Sequence, residues 1–111
     1  MKPTKSLAEK IVGWYCEKYK LDVIVVLKIG VYSDFKCWGE CSEPERGGNG
    51  RNIYEISIAK DQNIRNFIAT VMHEMVHVKQ WERKRWTGDG EEEAERMQHK
   101  LADKYWREGN L

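Results

Sequence analysis

Apolar positions in the C-terminal half of the chain recur with the period of an α-helix. The segment from Ile64 to Arg85 contains no glycine or proline, and its apolar side chains fall within about 100° of one another around a helix axis. This stripe consists of Ile64, Phe67, Ile68, Val71, Met75 and Val78. Asp61 or Asn63 is placed to cap the first turn. The pattern predicts one long helix with a core-facing stripe.

A second helical pattern follows a turn at residues 87–90, which has the sequence Thr-Gly-Asp-Gly. The predicted buried stripe of this helix consists of Ala94, Met97, Leu101, Ala102 and Tyr105. The helix opens on three glutamates, which suit the positive end of a helix dipole. With Asp89 as N-cap, Glu92 would complete a capping box. We therefore expect an acidic first turn close to the end of the preceding helix.

The N-terminal half begins with a further amphipathic pattern, over Ser6–Lys18. Its inward positions are Leu7, Ile11, Trp14 and Tyr15. The segment Asp22–Ile29 is then an almost unbroken run of branched aliphatic residues. Such a run predicts a strand that is buried on both faces.

Two more strands are predicted between this run and the long helix. Val31–Trp38 is expected to be the second strand, and Glu43–Asn52, with one proline and three glycines, a mobile loop. Arg51–Ala59 is expected to be the third strand, because apolar and polar residues alternate along it. The predicted order is α-β-β-β-α-α, an α+β fold with helices packed on a three-stranded sheet.

Length and composition agree with a single domain over residues 1–111. The formal net charge of +1 indicates no general attraction to nucleic acid or to membranes. No apolar run approaches the ~18 residues of a transmembrane helix, and the first residues do not resemble a signal peptide. We therefore expect an intracellular, cytoplasmic protein that is a monomer.

The three cysteines do not indicate a disulfide framework, because their number is odd. Cys37 and Cys41 have a spacing compatible with half of a metal site or with a local disulfide, but only Cys16 remains to complete a tetrahedral site. We interpret all three as reduced structural thiols.

The chemistry of the chain is concentrated in the long helix, where residues 73–77 read His-Glu-Met-Val-His. On a helix, a spacing of four residues leaves His73 and His77 about 40° apart, one turn above the other, so both imidazoles can bind one Zn²⁺. Glu74 lies beside the metal position, where a carboxylate can take a proton from zinc-bound water. The motif predicts zinc-dependent hydrolysis of a carbonyl centre, most often a peptide bond.

Zinc needs a third protein ligand, and the His-x-x-Gly-x-x-His continuation found in metzincins is absent. Gln80 stands in place of the glycine, and Arg83 in place of the third histidine. The alternative is a carboxylate from the following helix. Glu91 is our first candidate because it lies nearest to the buried stripe of that helix, and Glu92 and Asp89 are the rivals.

Other polar residues of the second helix receive different interpretations. Glu95, one turn beyond Glu91, is a candidate for orienting a ligating histidine. Glu93 is expected to be solvated, and His99 to be exposed, because it points away from the buried stripe.

The segment His73–Trp81, followed by the Glu-x-Glu-Ala segment Glu91–Ala94, resembles the small SprT-like zinc metallopeptidase domains and related phage and bacterial minimal gluzincins. This resemblance covers the half of the chain from Asn63 onward. It implies a zincin-like domain in which the two-histidine helix packs on a small sheet and a glutamate of the next helix completes the site. The paired Cys-x-x-Cys motifs of the zinc ribbon in longer SprT-like proteins are absent from this sequence.

The expected reaction uses zinc on His73, His77 and Glu91 to lower the pKa of a bound water to around 7. Glu74 removes a proton from this water, the hydroxide attacks the scissile carbonyl, and Glu74 passes the proton to the leaving amine. Zinc peptidases commonly hold the protein or peptide substrate as an added strand, for which Arg51–Ala59 is the candidate edge. The candidate oxyanion donors are Tyr105, Tyr54 and Arg51.

A function of another class is suggested by a basic and aromatic patch at the end of the long helix. Its members are Lys79, Trp81, Arg83, Lys84, Arg85 and Trp86. Interleaved cations and rings can hold phosphates and stack bases. The alternative hypotheses are a nucleic-acid-associated module and a protein-binding module, each with a non-catalytic zinc site. Some SprT-like peptidases act on DNA-bound proteins, so the peptidase and nucleic-acid hypotheses are compatible.

Overall fold

Four helices and a mixed four-stranded sheet make up the computed structural model, which describes residues 1–109. The helices are α1 (Lys5–Tyr19), α2 (Tyr32–Phe35), α3 (Ile64–Arg83) and α4 (Glu91–Arg107). The strands are β1 (Ile24–Gly30), β2 (Gly39–Cys41), β3 (Glu45–Arg46) and β4 (Asn52–Ala59). The α+β class is confirmed. The predicted order and the three-strand count are wrong, because the chain adds the short helix α2 and the sheet has a fourth strand.

The central strand of the sheet is β4. It pairs in parallel with β1, where Leu27 lies opposite Ile56, and antiparallel with β2, where Gly39 lies opposite Ile58. The two residues of β3 pair antiparallel with the beginning of β4. The prediction that Arg51–Ala59 forms an edge is therefore wrong, because both sides of β4 are paired. Its alternating pattern arises because only one face of the strand packs on helices.

The aliphatic run in β1 is not buried on both faces. Leu27 is its one buried residue, whereas Val26 is 45% exposed. Lys28 lies on the open face of the sheet, where its ammonium is 2.8 Å from the Glu55 carboxylate of β4. The prediction failed because β1 is an edge strand covered on one face only, and aliphatic residues alone do not reveal how many layers cover a strand.

The segment 31–52 also differs from its predicted structure. Val31–Trp38 contains the short helix α2 in place of a strand, and the backbone N–H of Tyr32 donates to the side chain of Asp61. The predicted loop after it contains β3 and a turn in which the N–H of Gly47 donates to the carbonyl of Arg51. The turn residues were recognised, but the pairing of β3 with β4 was not.

The long helix α3 lies at the centre of the molecule, where it contacts α1, α4, β2 and β4. Asn63 is its N-cap and accepts a hydrogen bond from the N–H of Asn66 at 2.8 Å. The predicted stripe of α3 is buried apart from Ile64, which is partly buried, and the predicted stripe of α4 is buried apart from Met97, which is partly buried. Residues on other faces of α3 are buried too: Ala69, Met72 and Val76.

Among residues 1–109, no helix combines the length and the apolar character that crossing a membrane would need.

Candidate metal centre

The two histidines of α3 lie one turn apart on the same side of the helix. The centroids of the His73 and His77 rings are 5.0 Å apart. Their side chains are 15% and 13% exposed, so both rings are shielded but reach the surface. The four-residue spacing predicts this proximity, and the two rings meet edge to face at an interplanar angle of 74°.

Glu91 joins them from the first turn of α4. Its carboxylate places Oε2 2.9 Å from His73 Nε2 and Oε1 2.8 Å from His77 Nε2. The turn before α4 directs this side chain back towards α3, since Gly90 takes a left-handed conformation with φ 80°. Asp89 supports the turn by accepting a hydrogen bond from the Glu91 N–H at 3.0 Å. The structure thus brings together the three residues predicted as ligands.

The donor set and its spacing fit a zinc ion. The ligand atoms of His73, His77 and Glu91 all lie within 4.8 Å of one another, and no other group of three His, Cys, Asp or Glu side chains in the described residues does so. A tetrahedral ion with bonds of about 2.0–2.1 Å holds its ligands roughly 3.3 Å apart. Two imidazoles and one carboxylate are also the donor set of many catalytic zinc sites, which keep a further position for water or substrate.

The neighbouring acidic residues do not join this group. The predicted capping box is wrong, because Gly90 is the N-cap of α4 and Glu92 is exposed. Glu95 is exposed as well, while Glu93 is half-buried, contrary to prediction, and accepts a hydrogen bond from Gln80. His99 is exposed as predicted.

Glu74 is among the few polar side chains buried in the structure, with 5% of its surface exposed. Burial, and then the neighbouring carboxylates of Glu91 and Glu40, raise the pKa of Glu74 to about 8. With His73, it lines a cleft of about 230 Å³ between α3 and β2. The other residues lining this cleft are Trp38, Gly39, Thr70 and Gln98. A carboxyl group that titrates near neutral pH therefore lies beside the three clustered side chains.

The Nδ1 atom of each of these two histidines contacts the side-chain amide of a glutamine. His73 Nδ1 is 2.7 Å from Gln98 Oε1, and His77 Nδ1 is 2.9 Å from Gln80 Oε1. Glu95 was predicted to orient a histidine in this way, and neither glutamine was predicted to do so. Gln80 was detectable in principle, because it follows His77 by three residues and so shares its helix face. Gln98 was not, since its contact depends on how α3 and α4 pack.

The residues proposed to stabilise an oxyanion do not line this cleft. The Tyr54 hydroxyl donates to Glu82, and a guanidinium nitrogen of Arg51 is 3.7 Å from Asp22. Tyr105 is buried, with its ring packed edge-on against Trp14. No local sequence pattern could exclude these three residues as oxyanion donors, since their distance from the histidines is a tertiary property.

The basic patch at the end of α3 is partly occupied by contacts within the chain. The Lys79 ammonium lies 4.4 Å from the centroid of the Tyr19 ring, and Arg83 donates to the Tyr19 carbonyl at 2.8 Å. Lys84 and Arg85 are exposed. The contacts of Lys79 and Arg83 thus attach the end of α3 to the end of α1.

Comparisons with protein-family models, with curated proteins and with solved structures found no match for this chain. The resemblance to SprT-like domains and minimal gluzincins stays a prediction from the motif.

Proposed function

We propose that this chain is a zinc-dependent metallopeptidase. The observation that carries the proposal is the convergence of His73, His77 and Glu91 on one point, with the buried carboxyl of Glu74 in the adjoining cleft. When bound there, zinc would supply a Lewis acid that polarises the scissile carbonyl and acidifies a coordinated water.

The role of Glu74 in this proposal is to move a proton. Burial raises the pKa of the Glu74 carboxyl to about 8 in the metal-free site, and the positive charge of a zinc ion beside it would lower this pKa and favour the carboxylate that acts as the base. The carboxylate would take a proton from the attacking water and deliver it to the nitrogen of the leaving amine. Its burial between α3 and β2 holds it in place for both transfers.

The substrate would lie along β2 rather than along β4. β2 ends the strand path β1-β4-β2, and its Gly39 lies against Thr70 and Glu74 of α3. An extended peptide added to this edge would pass directly over the cleft. A second cleft of about 400 Å³ shares Trp38, Thr70 and Gln98 with the first and would continue the binding groove.

Glu74→Gln tests the catalytic role. We expect this variant to bind zinc as the unchanged chain does, but to lose at least about 100-fold in kcat on unfolded casein, because the amide cannot accept the proton. Glu95→Gln is the matched control, since it makes the same change at an exposed position on α4. Retention of full activity in Glu74→Gln would contradict the proposal.

The ligand assignment is tested by zinc content after dialysis. Glu91→Ala should lose zinc and Glu92→Ala should retain it, because Glu92 lies outside the cluster. Asp89→Ala should retain zinc with weaker affinity, because Asp89 is outside the cluster but supports the turn before Glu91. Zinc that stays in Glu91→Ala and disappears from one of the other two variants would show that the third ligand is misassigned.

The nucleic-acid and protein-binding hypotheses remain predictions. The contacts of Lys79 and Arg83 with Tyr19 hold these two cations against α1, where they are less available to phosphates than the exposed Lys84 and Arg85.

A further inference from the structure

Gln80 stands out among the side chains outside the proposed reaction. Only 4% of its surface is exposed, and all of its polar atoms face other polar groups. Its Oε1 lies 2.9 Å from His77 Nδ1, while its Nε2 donates to the Gly90 carbonyl at 3.0 Å and to Glu93 Oε1 at 2.8 Å. One side chain therefore contacts a ligating histidine and both flanks of Glu91.

These contacts determine which way the amide of Gln80 points. Two acceptors, the Gly90 carbonyl and the Glu93 carboxylate, require the NH₂ group on the α4 side. The carbonyl oxygen must then face the imidazole of His77. An amide oxygen only accepts hydrogen bonds, so Nδ1 of His77 must carry the proton. A neutral His77 ring with its proton on Nδ1 would offer the lone pair of Nε2 to a metal ion that takes the place of the present contact between Nε2 and Glu91.

The same side chain ties the two halves of the site together. His77 belongs to α3 and Glu91 to α4, and Gln80 bonds to the residue before Glu91 and to the second residue after it. Glycine is needed at position 90, because a Cβ there would lie 2.3 Å from Gln80 Oε1 and the backbone has a positive φ. The packing of Gln80 against Gly90 thus determines where α4 begins and where the Glu91 carboxylate points.

We propose that Gln80 is a positioning residue of the metal centre, which holds His77 in the Nδ1–H tautomer and fixes the turn that delivers Glu91. This inference rests on the proposed zinc site, but it concerns how the chain assembles that site and not the reaction. Gln80 contacts neither the reacting atoms nor the cleft, so it acts through His77 and Glu91.

Gln80→Met tests the orienting contact, because methionine keeps the length and removes both polar groups. We expect zinc affinity, measured by competition with a chromophoric chelator, to fall about 10- to 100-fold. In the zinc-loaded protein, NMR should show a slowly exchanging Nδ1–H proton on each ligating histidine. In Gln80→Met the signal of the His77 Nδ1–H should disappear, because the unprotected proton exchanges with water, and the signal of the His73 proton, which faces Gln98, should be retained.

Leu101→Ala separates positioning from general destabilisation. Leu101 is buried on the same helix as Glu91 but about three turns away, so its truncation should lower the melting temperature and change zinc affinity by less than twofold. The inference is overturned if Gln80→Met binds zinc within twofold of the unchanged chain and still shows the NMR signal of the His77 Nδ1–H.

The contact between Gln80 and the turn is tested by exchanging donor and acceptor. Gln80→Glu places a carboxylate against the Glu93 carboxylate, and Glu93→Gln in the same chain restores a donor to that pair. We expect Gln80→Glu to weaken zinc binding and the double variant to recover at least half of the loss. No recovery would contradict the role of this contact.

Melting temperatures of these variants without zinc distinguish the two proposals. If the unchanged chain takes up no zinc, the proposed metal centre fails. Without zinc, the Gln80→Glu and Glu93→Gln exchange still tests whether Gln80 fixes the turn. A higher melting temperature of the double variant than of Gln80→Glu supports this role. An equal or lower melting temperature overturns it.

Discussion

At the scale of single residues, the close approach of β2 to α3 depends on Gly39. A Cβ at this position would lie 2.5 Å from Thr70 Cγ2 and 2.8 Å from Glu74 Oε2, which is nearer than side chains tolerate. Thr70 is β-branched and has little freedom to move away. The missing side chain therefore allows a sheet edge to lie against the carboxyl group proposed as the base.

Gly39→Ala should impair catalysis without removing the metal. The added methyl group must displace Glu74 or Thr70, and we expect kcat on a peptide substrate to fall at least about tenfold, since small displacements of catalytic groups have large effects on rate. Zinc affinity should change little, because the atoms nearest to the added methyl group belong to Thr70 and Glu74, which are not proposed ligands. Gly48→Ala, where a Cβ would meet nothing within 4 Å, is the control. Wild-type kcat in Gly39→Ala would show that Glu74 needs no such exact placement.

At the scale of elements, α3 and α4 contribute to the proposed metal site in different ways. α3 carries both histidines and the proposed base on one continuous helix, so their mutual geometry follows from helical spacing alone. α4 contributes Glu91, the proposed third ligand, at its first residue, so the position of this carboxylate depends on where the helix begins. A shift of this start by one residue would rotate Glu91 by about 100° away from the histidines.

The start of α3 is stabilised by Asn63, whose side chain accepts from the N–H of Asn66. Asn63→Ala should lower the free energy of unfolding by about 0.5–2 kcal/mol, because the N–H of Asn66 loses its capping acceptor. Asn63→Asp should stay close to the unchanged chain, since aspartate caps equally well. Chemical denaturation of the zinc-free protein measures both, and equal stability of all three chains would contradict the capping role.

At the scale of the whole molecule, one hydrophobic cluster connects the sheet, α1, α3 and α4. The proposed metal site lies at the surface of this cluster and would take its ligands from two helices. A bound ion would therefore link α3 to α4 and stabilise the folded chain over the unfolded one.

Zinc should raise the melting temperature in a concentration-dependent manner. At 100 times the dissociation constant, binding contributes about 2.7 kcal/mol to the free energy of unfolding. Glu74→Gln should show the same increase, because Glu74 is not a ligand, whereas Glu91→Ala should show a much smaller one. Thermal scans over a zinc titration provide the measurement. A zinc-independent melting temperature in the unchanged chain would contradict the proposed site.

The sequence by itself determined those features that depend on local periodicity. The nearness of the His73 and His77 rings and the apolar stripes of α3 and α4 follow from the helical repeat, so they could be predicted from spacing alone. Glu91, preferred as the third ligand for its place on the helix face, lies beside both histidines, and its role as a ligand stays a prediction.

Only the tertiary structure decided the sheet order and the surroundings of the histidines. The parallel pairing of β1 with β4 joins segments far apart in the chain. Because β4 is paired on both sides, the free strand edge beside the site belongs to β2 and not, as predicted, to β4. The contacts of Gln98 with His73 and of Gln80 with Gly90 depend on the packing of α3 against α4. The physical reason is that a repeat specifies which side of an element is apolar, whereas its partner is chosen by the packing of all elements together.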